Sequence, residues 1–451
     1  MNTQTKDLTQ GSVSKQLILY ALPLIATSLL QSLYSIADLL IAGRTVGSVG
    51  LSAINNSSQI MTLVTKIAIG LSTGGSILIG QCFGGKDEEG QKEAVRTLFT
   101  ICIFAGVVST FLLWCFSRPL LLLLDAPALE EANTYLQICA LGMVFIWGYN
   151  ALSATLRATG DSANPFRIIM VSSAINVVLD LIFMGPLQMG VAGAALATML
   201  SQGISFLIAL QLVLKQKGIY GLKIRVVAEK LRLILKLGIP CVLQMTIAAI
   251  SWLVVTYFIN GYGVDVSAGN GVSVKIKDIC QLVISSMSTG VSAMIAQNLG
   301  AQLYDRAKQV LYTTMKLALL ISVGMILFVE FAAPALAGCF SDEAAVIDAA
   351  VLNLRIEMIG QIFYACFLSY HALMTGAGHT TMVMISSFTN CILVRVVLAA
   401  LFNRLWGLPG VYLACMIAPF SSVPIGMIYT RSGIWKRSLL AKTGTATSKK
   451  S

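Results

Sequence analysis

The chain has 451 residues, of which 56% are hydrophobic and only 11% charged, and its mean hydropathy is +0.81. Soluble globular proteins carry about 25% charged residues, so this composition excludes that class and favours a multi-pass membrane protein. The formal net charge is +11. Most of the basic residues fall in alternate loops between apolar segments, which argues against nucleic acid as a partner.

Twelve apolar segments are each long enough to cross a bilayer as a helix, which takes about 20 residues. They predict an all-α membrane fold with short loops between the spans. The predicted spans are residues 14–42, 51–82, 94–117, 131–157, 163–186, 190–214, 230–260, 268–298, 308–335, 344–375, 380–404 and 408–431.

The stretch from Pro23 to Gly43, which makes up most of the first span, is apolar but contains the carboxylate of Asp38. Ser35, Tyr34 and Gln31 precede Asp38 by three, four and seven residues. Those spacings place the four side chains on one face of a helix. A polar stripe on an otherwise apolar helix predicts that this face lines something other than lipid.

The distribution of Lys and Arg predicts the orientation of the spans. With the N-terminus inside, the outer segments hold only Arg44, Arg118, Arg355 and Arg404, and most of the 31 basic residues lie in the inner segments. This is the positive-inside pattern, and it places both termini in the cytoplasm. The first twelve residues are polar, so we expect a true first span rather than a cleaved signal peptide.

The sequence repeats itself with a shift of 214 to 218 residues. Five motifs match in register: Pro23 with Pro240, Gln81-Cys-Phe-Gly-Gly with Gln297-Asn-Leu-Gly-Ala, Arg157-Ala-Thr-Gly-Asp with Thr375-Gly-Ala-Gly-His, Ser172-Ser-Ala-Ile-Asn with Ser386-Ser-Phe-Thr-Asn, and Met189-Gly-Val-Ala-Gly with Trp406-Gly-Leu-Pro-Gly. Each unit holds six spans, so the repeats are parallel, as in transporters that bind substrate at a repeat interface. The predicted domains are residues 1–214, a cytoplasmic linker 215–236, and residues 237–451 with a basic tail.

The first repeat carries a candidate cation-coupling site. Asp180 follows Asn176 by four residues on one helical face, and Thr198 adds a hydroxyl in the next span. At about 1.5 Å per residue, Asp38, Asp180 and Thr198 lie at similar depths in the outer half of the bundle. Two carboxylates, an amide and a hydroxyl together provide oxygen atoms that can bind H+ or Na+. The alternative for Asp38 is a residue at the outer membrane interface.

The second repeat carries different charges. Lys275, Lys277, Asp278 and Arg395 form a candidate polar site, in which Lys277 and Asp278 are either partners or face a watery cleft. We expect Glu330 and Glu357 near the outer interface. This asymmetry predicts that ion coupling resides in the first repeat.

A substrate cavity is expected where polar and flexible side chains occur within the spans. Thioethers adapt to varied ligand shapes, although methionine also serves ordinary core packing. The candidate cavity residues are Gln31, Tyr34, Gln59, Met61, Met184 and Met287. No Gly-x-x-x-x-Gly-Lys-Ser/Thr loop occurs, so we expect no nucleotide or other cofactor, and an ion gradient as the energy source.

The chain resembles the multidrug and toxic compound extrusion (MATE) transporters, and most closely their bacterial DinF-like branch. The resemblance covers residues 8 to 432. It is carried by the repeat and by Leu8-Thr-Gln-Gly-Ser-Val-Ser-Lys-Gln-Leu, Pro23 followed by Gln31 and Asp38, Arg157-Ala-Thr-Gly-Asp, and Gln297-Asn-Leu-Gly-Ala. The family's coupling residues match Asp38, Asn176, Asp180 and Thr198, whereas acids that NorM-like members carry in the second repeat have no match here.

The resemblance implies two six-helix lobes in a V shape and a central cavity. It also implies that alternating access exports drugs, as organic cations or amphipathic compounds, in exchange for H+ or Na+. We expect a monomer in a bacterial cell membrane. The alternatives are a lipid-linked saccharide flippase of the same superfamily and, less favoured, an intramembrane enzyme, for which the usual catalytic motifs are absent from the sequence.

Overall fold

The computed structural model describes residues 6–123, 128–215 and 224–436, and these are helical with no strand among them. The α-helices are α1 Val13–Thr45, α2 Gly47–Gly84, α3 Glu88–Leu123, α4 Leu129–Leu141, α5 Met143–Ala158, α6 Ala163–Met184, α7 Gly190–Leu214, α8 Ala228–Asn260, α9 Val264–Gly300, α10 Tyr304–Gly338, α11 Ala344–Ile359, α12 Gln361–Gly376, α13 Thr380–Phe388, α14 Val397–Trp406, α15 Leu408–Ile417 and α16 Ser422–Ser432. A π-helix, Thr389–Val396, joins α13 to α14, and two short 3₁₀ turns are Ala418–Ser421 and Ile434–Lys436.

The helices account for the predicted spans. Eleven helical stretches in the described part of the chain are long and apolar enough to cross a membrane. The pair α4 and α5, bent by 46°, makes a twelfth if it is counted as one span. The prediction of an all-α membrane protein with twelve spans is therefore confirmed.

The backbone repeats as the sequence does. Residues with positive φ recur at shifts of 216 to 218: Gly47 (68°) and Gly263 (106°), Lys86 (56°) and Gln302 (60°), Gly160 (84°) and Gly378 (79°), and Gly190 (57°) and Gly407 (64°). Packing repeats as well, because α2 contacts α3, α4 and α5 just as α9 contacts α10, α11 and α12. The predicted repeat is confirmed in both conformation and packing.

The described chain divides into two compact units. The N-unit comprises residues 6–7 and 22–242, and the C-unit comprises residues 8–21 and 243–436. The division therefore cuts α1 just before Pro23 and α8 just after Pro240, the two prolines that the repeat aligns. Part of the predicted linker 215–236, residues 216–223, and the basic tail beyond residue 436 lie outside the described residues, so those boundaries stay a prediction.

Small residues let α2 and the first half of α8 pack closely within the N-unit. A Cβ on Gly74 would lie 2.5 Å from the backbone nitrogen of Gly238 and 2.9 Å from the carbonyl oxygen of Ile234. Small residues permit this backbone approach, and it is a common way for membrane helices to associate. Glycine is required at position 74 because any side chain there would clash with backbone atoms of α8.

The segment before α1 is fixed within the C-unit by polar contacts. The backbone N–H of Leu8 donates to Gln297 Oε1 at 3.1 Å. Arg306 donates to the carbonyl oxygens of Gly11 at 2.7 Å and Gln10 at 2.8 Å. Leu8 is 1% exposed, so the segment is anchored by burial as well as by hydrogen bonds.

Candidate functional site

Helix α6 carries one buried polar stripe through its apolar sequence. Ser172, Asn176 and Asp180 recur every four residues and are all buried, with Asp180 fully inaccessible. Residues four apart share a helical face, so the Asn-x-x-x-Asp spacing aims both side chains at the same neighbours. Those neighbours are α7, the helix with which α6 packs most extensively, and α1.

Asn176 links α6 to α7. Its amide is oriented so that its NH2 group donates to Asp180 Oδ2 at 2.9 Å and its oxygen accepts from the backbone N–H of Thr198 at 3.2 Å. Asp180 Oδ1 has no hydrogen-bond partner within the described ranges. A buried carboxylate oxygen without a partner is costly, and it indicates a position where a proton or cation can bind.

Helix α1 brings a second acid to the same place. The carboxyl group of Asp38 is within hydrogen-bonding reach of Asp180. One turn earlier, the Tyr34 hydroxyl is within hydrogen-bonding reach of the Thr198 side chain. Tyr34, Asp38, Asn176, Asp180 and Thr198 therefore form one group, called here the acid cluster. The structure brings together all four of the predicted coupling residues.

The charge balance of the acid cluster determines what it can do. Two carboxylates in contact in a low-dielectric environment cannot both remain ionised without a compensating positive charge. A proton shared between Asp38 and Asp180 supplies that charge, and so does a monovalent cation on their oxygens. Carboxylate, hydroxyl and amide oxygens are the donors that a hard cation such as Na+ accepts. The geometry therefore suits reversible uptake of one H+ or one Na+ as cargo.

Helix α4 adds two residues that the sequence analysis missed. Tyr135 and Cys139 are 4% and 2% exposed, and both lie near Asp38. The Tyr135 hydroxyl is within reach of Ser58 on α2 and of Cys139. The only sequence signal is a tyrosine and a cysteine four residues apart on an apolar helix, which is common in membrane proteins.

The predicted cavity residues are differently placed. Gln31 and Gln59 are exposed, Tyr34 belongs to the acid cluster, and Met61 and Met184 are buried in the N-unit. Met184 packs at the end of α1, where its sulfur lies 3.6 Å from Thr45 Oγ1. The remaining residue, Met287, is buried in the C-unit. The role of these six residues in binding substrate stays a prediction.

In the C-unit, Lys277 pairs with Glu357, a partner that the sequence analysis did not propose. Its Nζ donates to Glu357 Oε2 at 2.5 Å and to Asn353 Oδ1 at 3.1 Å. Glu357 is 8% exposed, so its carboxylate is buried within the C-unit, and its position near the outer interface stays a prediction. Asp278, proposed as the partner of Lys277, is exposed, because one residue along a helix turns the side chain through about 100°.

Arg395 lies beside the same ion pair. Its guanidinium group is 4.7 Å from the centre of the Trp252 ring, and Lys277 Nζ is 5.5 Å from it. Of the four residues proposed as a polar site, Lys277 and Arg395 come together, whereas Lys275 and Asp278 are exposed. Glu330 pairs with Arg355 at 3.3 Å, with both side chains half-exposed.

The regions that match a known protein family coincide with the two repeats. The MatE family model matches residues 23–182 and 240–401. The chain is 36% identical over 301 residues to the probable multidrug resistance protein YpnP of Bacillus subtilis, covering 65% of this chain and 67% of that one. It is 25% identical to the probable multidrug resistance protein NorM of Thermotoga maritima over 95% of both chains.

Among solved structures, the fold is similar to the outward-facing conformation of a multidrug resistance MATE family transporter of the MOP superfamily. The TM-score is 0.88 at 23% identity, covering 96% of this chain and 98% of that one. At this identity the likeness shows the fold alone. The family model, in contrast, matches well over half of the sequence in two blocks that coincide with the repeats. The chain therefore belongs to the MatE family of membrane transporters.

Proposed function

We propose that this protein is a secondary active multidrug exporter. It expels cationic or amphipathic compounds from a bacterial cell by alternating access, works as a monomer, and takes up H+ or Na+ in exchange. The observation that carries this proposal is the acid cluster, in which Asp38 and Asp180 face each other inside an apolar bundle.

The acid cluster supplies a reason for ion binding to change the conformation of α1. With both acids ionised, their repulsion and the unpartnered Asp180 Oδ1 favour an arrangement in which water reaches Asp38. Binding of H+ or Na+ removes the repulsion and allows α1 to pack against α6. Pro23 removes one backbone hydrogen bond from α1, so this helix is able to bend at that point.

The energy available is sufficient for export. An inward-moving monovalent cation gains about 2.3 kcal/mol per 100 mV of membrane potential. Since about 1.4 kcal/mol corresponds to a tenfold ratio, one ion per neutral drug supports roughly forty-fold accumulation outside. A monovalent cationic drug cancels the electrical term, and the concentration gradient of the ion then drives its export.

Export is favoured over lipid-linked saccharide flipping by the charges of the C-unit. A pyrophosphate-linked lipid needs several cations, but the charge of Lys277 is already neutralised by Glu357 and Lys275 is exposed. Relatives named for multidrug resistance also support export.

The test is drug efflux from vesicles containing the purified protein, with proton and sodium gradients imposed separately. We expect either the proton gradient or the sodium gradient to drive drug efflux by the wild-type protein. Asp38→Asn should abolish this gradient-driven efflux. Asp180→Asn should act similarly, because it removes the other half of the pair.

The matched control is Asp348→Asn, which neutralises an exposed acid in α11. It should leave gradient-driven efflux unchanged. Driven efflux at the wild-type rate by a folded Asp38→Asn protein would show that the acid cluster does not couple transport.

A further inference from the structure

The C-unit contains a pocket whose lining residues all belong to that unit. Its volume is about 250 Å³, and it opens among α8, α9, α12 and the π-helix. Its walls combine aromatic rings with charged and amide side chains, notably Trp252, Tyr364, Lys277, Glu357, Asn390 and Arg395. The mixture of apolar and convergent polar groups is typical of small-molecule sites.

Arg395 is the cationic side chain of this pocket whose hydrogen-bond donors lack partners. It is 8% exposed, and its Nε and Nη1 atoms have no hydrogen-bond acceptor in the part of the chain that the structure describes. Trp252 contacts the guanidinium group through its ring face, which offers no oxygen to the N–H donors. An unpaired buried charge is strongly unfavourable, so these donors point to an anionic ligand.

The π-helix places Arg395 in the pocket. In α6 the buried residues Asn176 and Asp180 are four apart, whereas in the π-helix the buried residues Asn390 and Arg395 are five apart. Hydrogen bonds from residue i to i+5 widen the turn, so residues five apart share a face there. Both Asn390 and Arg395 line the pocket. The repeat thus has an arginine in the C-unit where the N-unit has an acid.

The charges that line the pocket determine the charge of the ligand. Lys277 and Glu357 neutralise each other, and Arg395 leaves one uncompensated positive charge. A monoanion brings the total to zero, whereas a dianion leaves a buried negative charge and a cation adds a second positive one. The guanidinium fork matches a carboxylate through two parallel hydrogen bonds.

We propose that this pocket binds a small organic monocarboxylate with an aromatic body. The carboxylate accepts hydrogen bonds from Arg395, and the aromatic part packs against Tyr364 and Phe367. Four oxygens of the pocket also lack partners within the described ranges, and they can accept hydrogen bonds from donor groups of the ligand: Glu357 Oε1, Gln361 Oε1, Ser387 Oγ and Asn390 Oδ1. This inference does not depend on the coupling role of the acid cluster.

The test uses the full-length purified protein in detergent and titration calorimetry with 2-naphthoate. We expect 2-naphthoate to bind at least about tenfold more tightly than the neutral 2-naphthamide, since hydrogen bonds to a charged group contribute that much. The dianion 1-naphthyl phosphate should bind more weakly than the monoanion. This comparison needs no variant, so it is independent of folding defects.

Two variants move the affinity in opposite directions. Arg395→Gln should remove the preference of the protein for 2-naphthoate over 2-naphthamide. Glu357→Gln raises the charge of the pocket by one unit and should tighten 2-naphthoate binding, which a merely structural role would not produce. The matched control is Arg355→Gln, because that arginine is half-exposed and paired with Glu330, and it should leave binding unchanged.

The proposal is overturned if wild-type protein binds the acid and the amide equally, or if it binds neither. It is also overturned if a folded Arg395→Gln protein retains the wild-type preference. Displacement of 2-naphthoate by chloride at equal concentration would identify a site for inorganic halide and contradict the organic ligand.

Discussion

Asp180 and Arg395 occupy corresponding places in the two repeats and carry opposite charges. Asp180 meets Asp38, and Arg395 lies beside the Lys277–Glu357 pair. The first site is acidic and suits a cation, and the second has one excess positive charge and suits an anion. The two repeats therefore share one scaffold but differ in the charge of their buried polar positions.

The Lys277–Glu357 ion pair gives a stability prediction. Both side chains are at most 6% exposed and the charges are in contact. We expect Lys277→Met to destabilise the protein by about 3–5 kcal/mol, because the buried carboxylate of Glu357 loses its hydrogen-bonded charge partner. The double variant Lys277→Met/Glu357→Leu should recover most of that loss, because both charges are then removed. Denaturant unfolding in detergent micelles measures both values.

The control for this prediction is the ion pair between Arg355 and Glu330, whose side chains are about half exposed. Arg355→Met should cost less than about 1 kcal/mol, since solvent screens an exposed pair. If the Lys277 and Arg355 variants lose equal stability, burial is not what makes the Lys277–Glu357 pair important.

The two sites differ in how far sequence could predict them. Asp38, Asn176, Asp180 and Thr198 were identified because the helical spacing of polar residues in apolar spans is a local signal. Lys277 and Glu357 are separated by 80 residues, so their contact depends on how α9 packs against α11. Neither local spacing nor composition reports that packing.

At the scale of elements, the contact between α2 and α8 gives a second prediction. Gly74→Ala places a Cβ 2.5 Å from the Gly238 nitrogen and 2.8 Å from its Cα, and backbone atoms cannot rotate away. The two helices must separate, and we expect a loss of about 1–3 kcal/mol, as for other overpacked sites. The midpoint of thermal unfolding measures the change.

Gly43→Ala in α1 is the matched control, because nothing lies within 4 Å of the added Cβ. It should be neutral or slightly stabilising, since alanine is the better helix former by up to about 1 kcal/mol. A Gly74→Ala protein as stable as Gly43→Ala would show that α2 and α8 separate easily.

The π-helix is the element that the sequence could not predict. Alignment of the repeats pairs Asp180 with Val394 and leaves Arg395 one residue out of register. The wider turn of the π-helix moves Arg395, rather than Val394, to the buried face. Its residues, Thr389 to Val396, carry no local signal that distinguishes a π-helix from an α-helix.

For the whole molecule, the repeat determines topology. Six spans per repeat require both repeats to enter the membrane from the same side, and the helices confirm the repeat in backbone conformation and packing. What the fold leaves open is which side is cytoplasmic. The positive-inside rule predicts that the loops rich in basic residues lie in the cytoplasm.

The orientation gives the final prediction. The test starts from a protein in which the exposed cysteines Cys115 and Cys339 are replaced by serine. Asp342 lies between α10 and α11, so an Asp342→Cys variant of this protein should react with a membrane-impermeant maleimide in intact cells. Glu89→Cys lies at the start of α3 and should react only after permeabilisation. Both positions are exposed, so labelling reports the side of the membrane. The opposite pattern would place the basic loops outside and would contradict the predicted orientation.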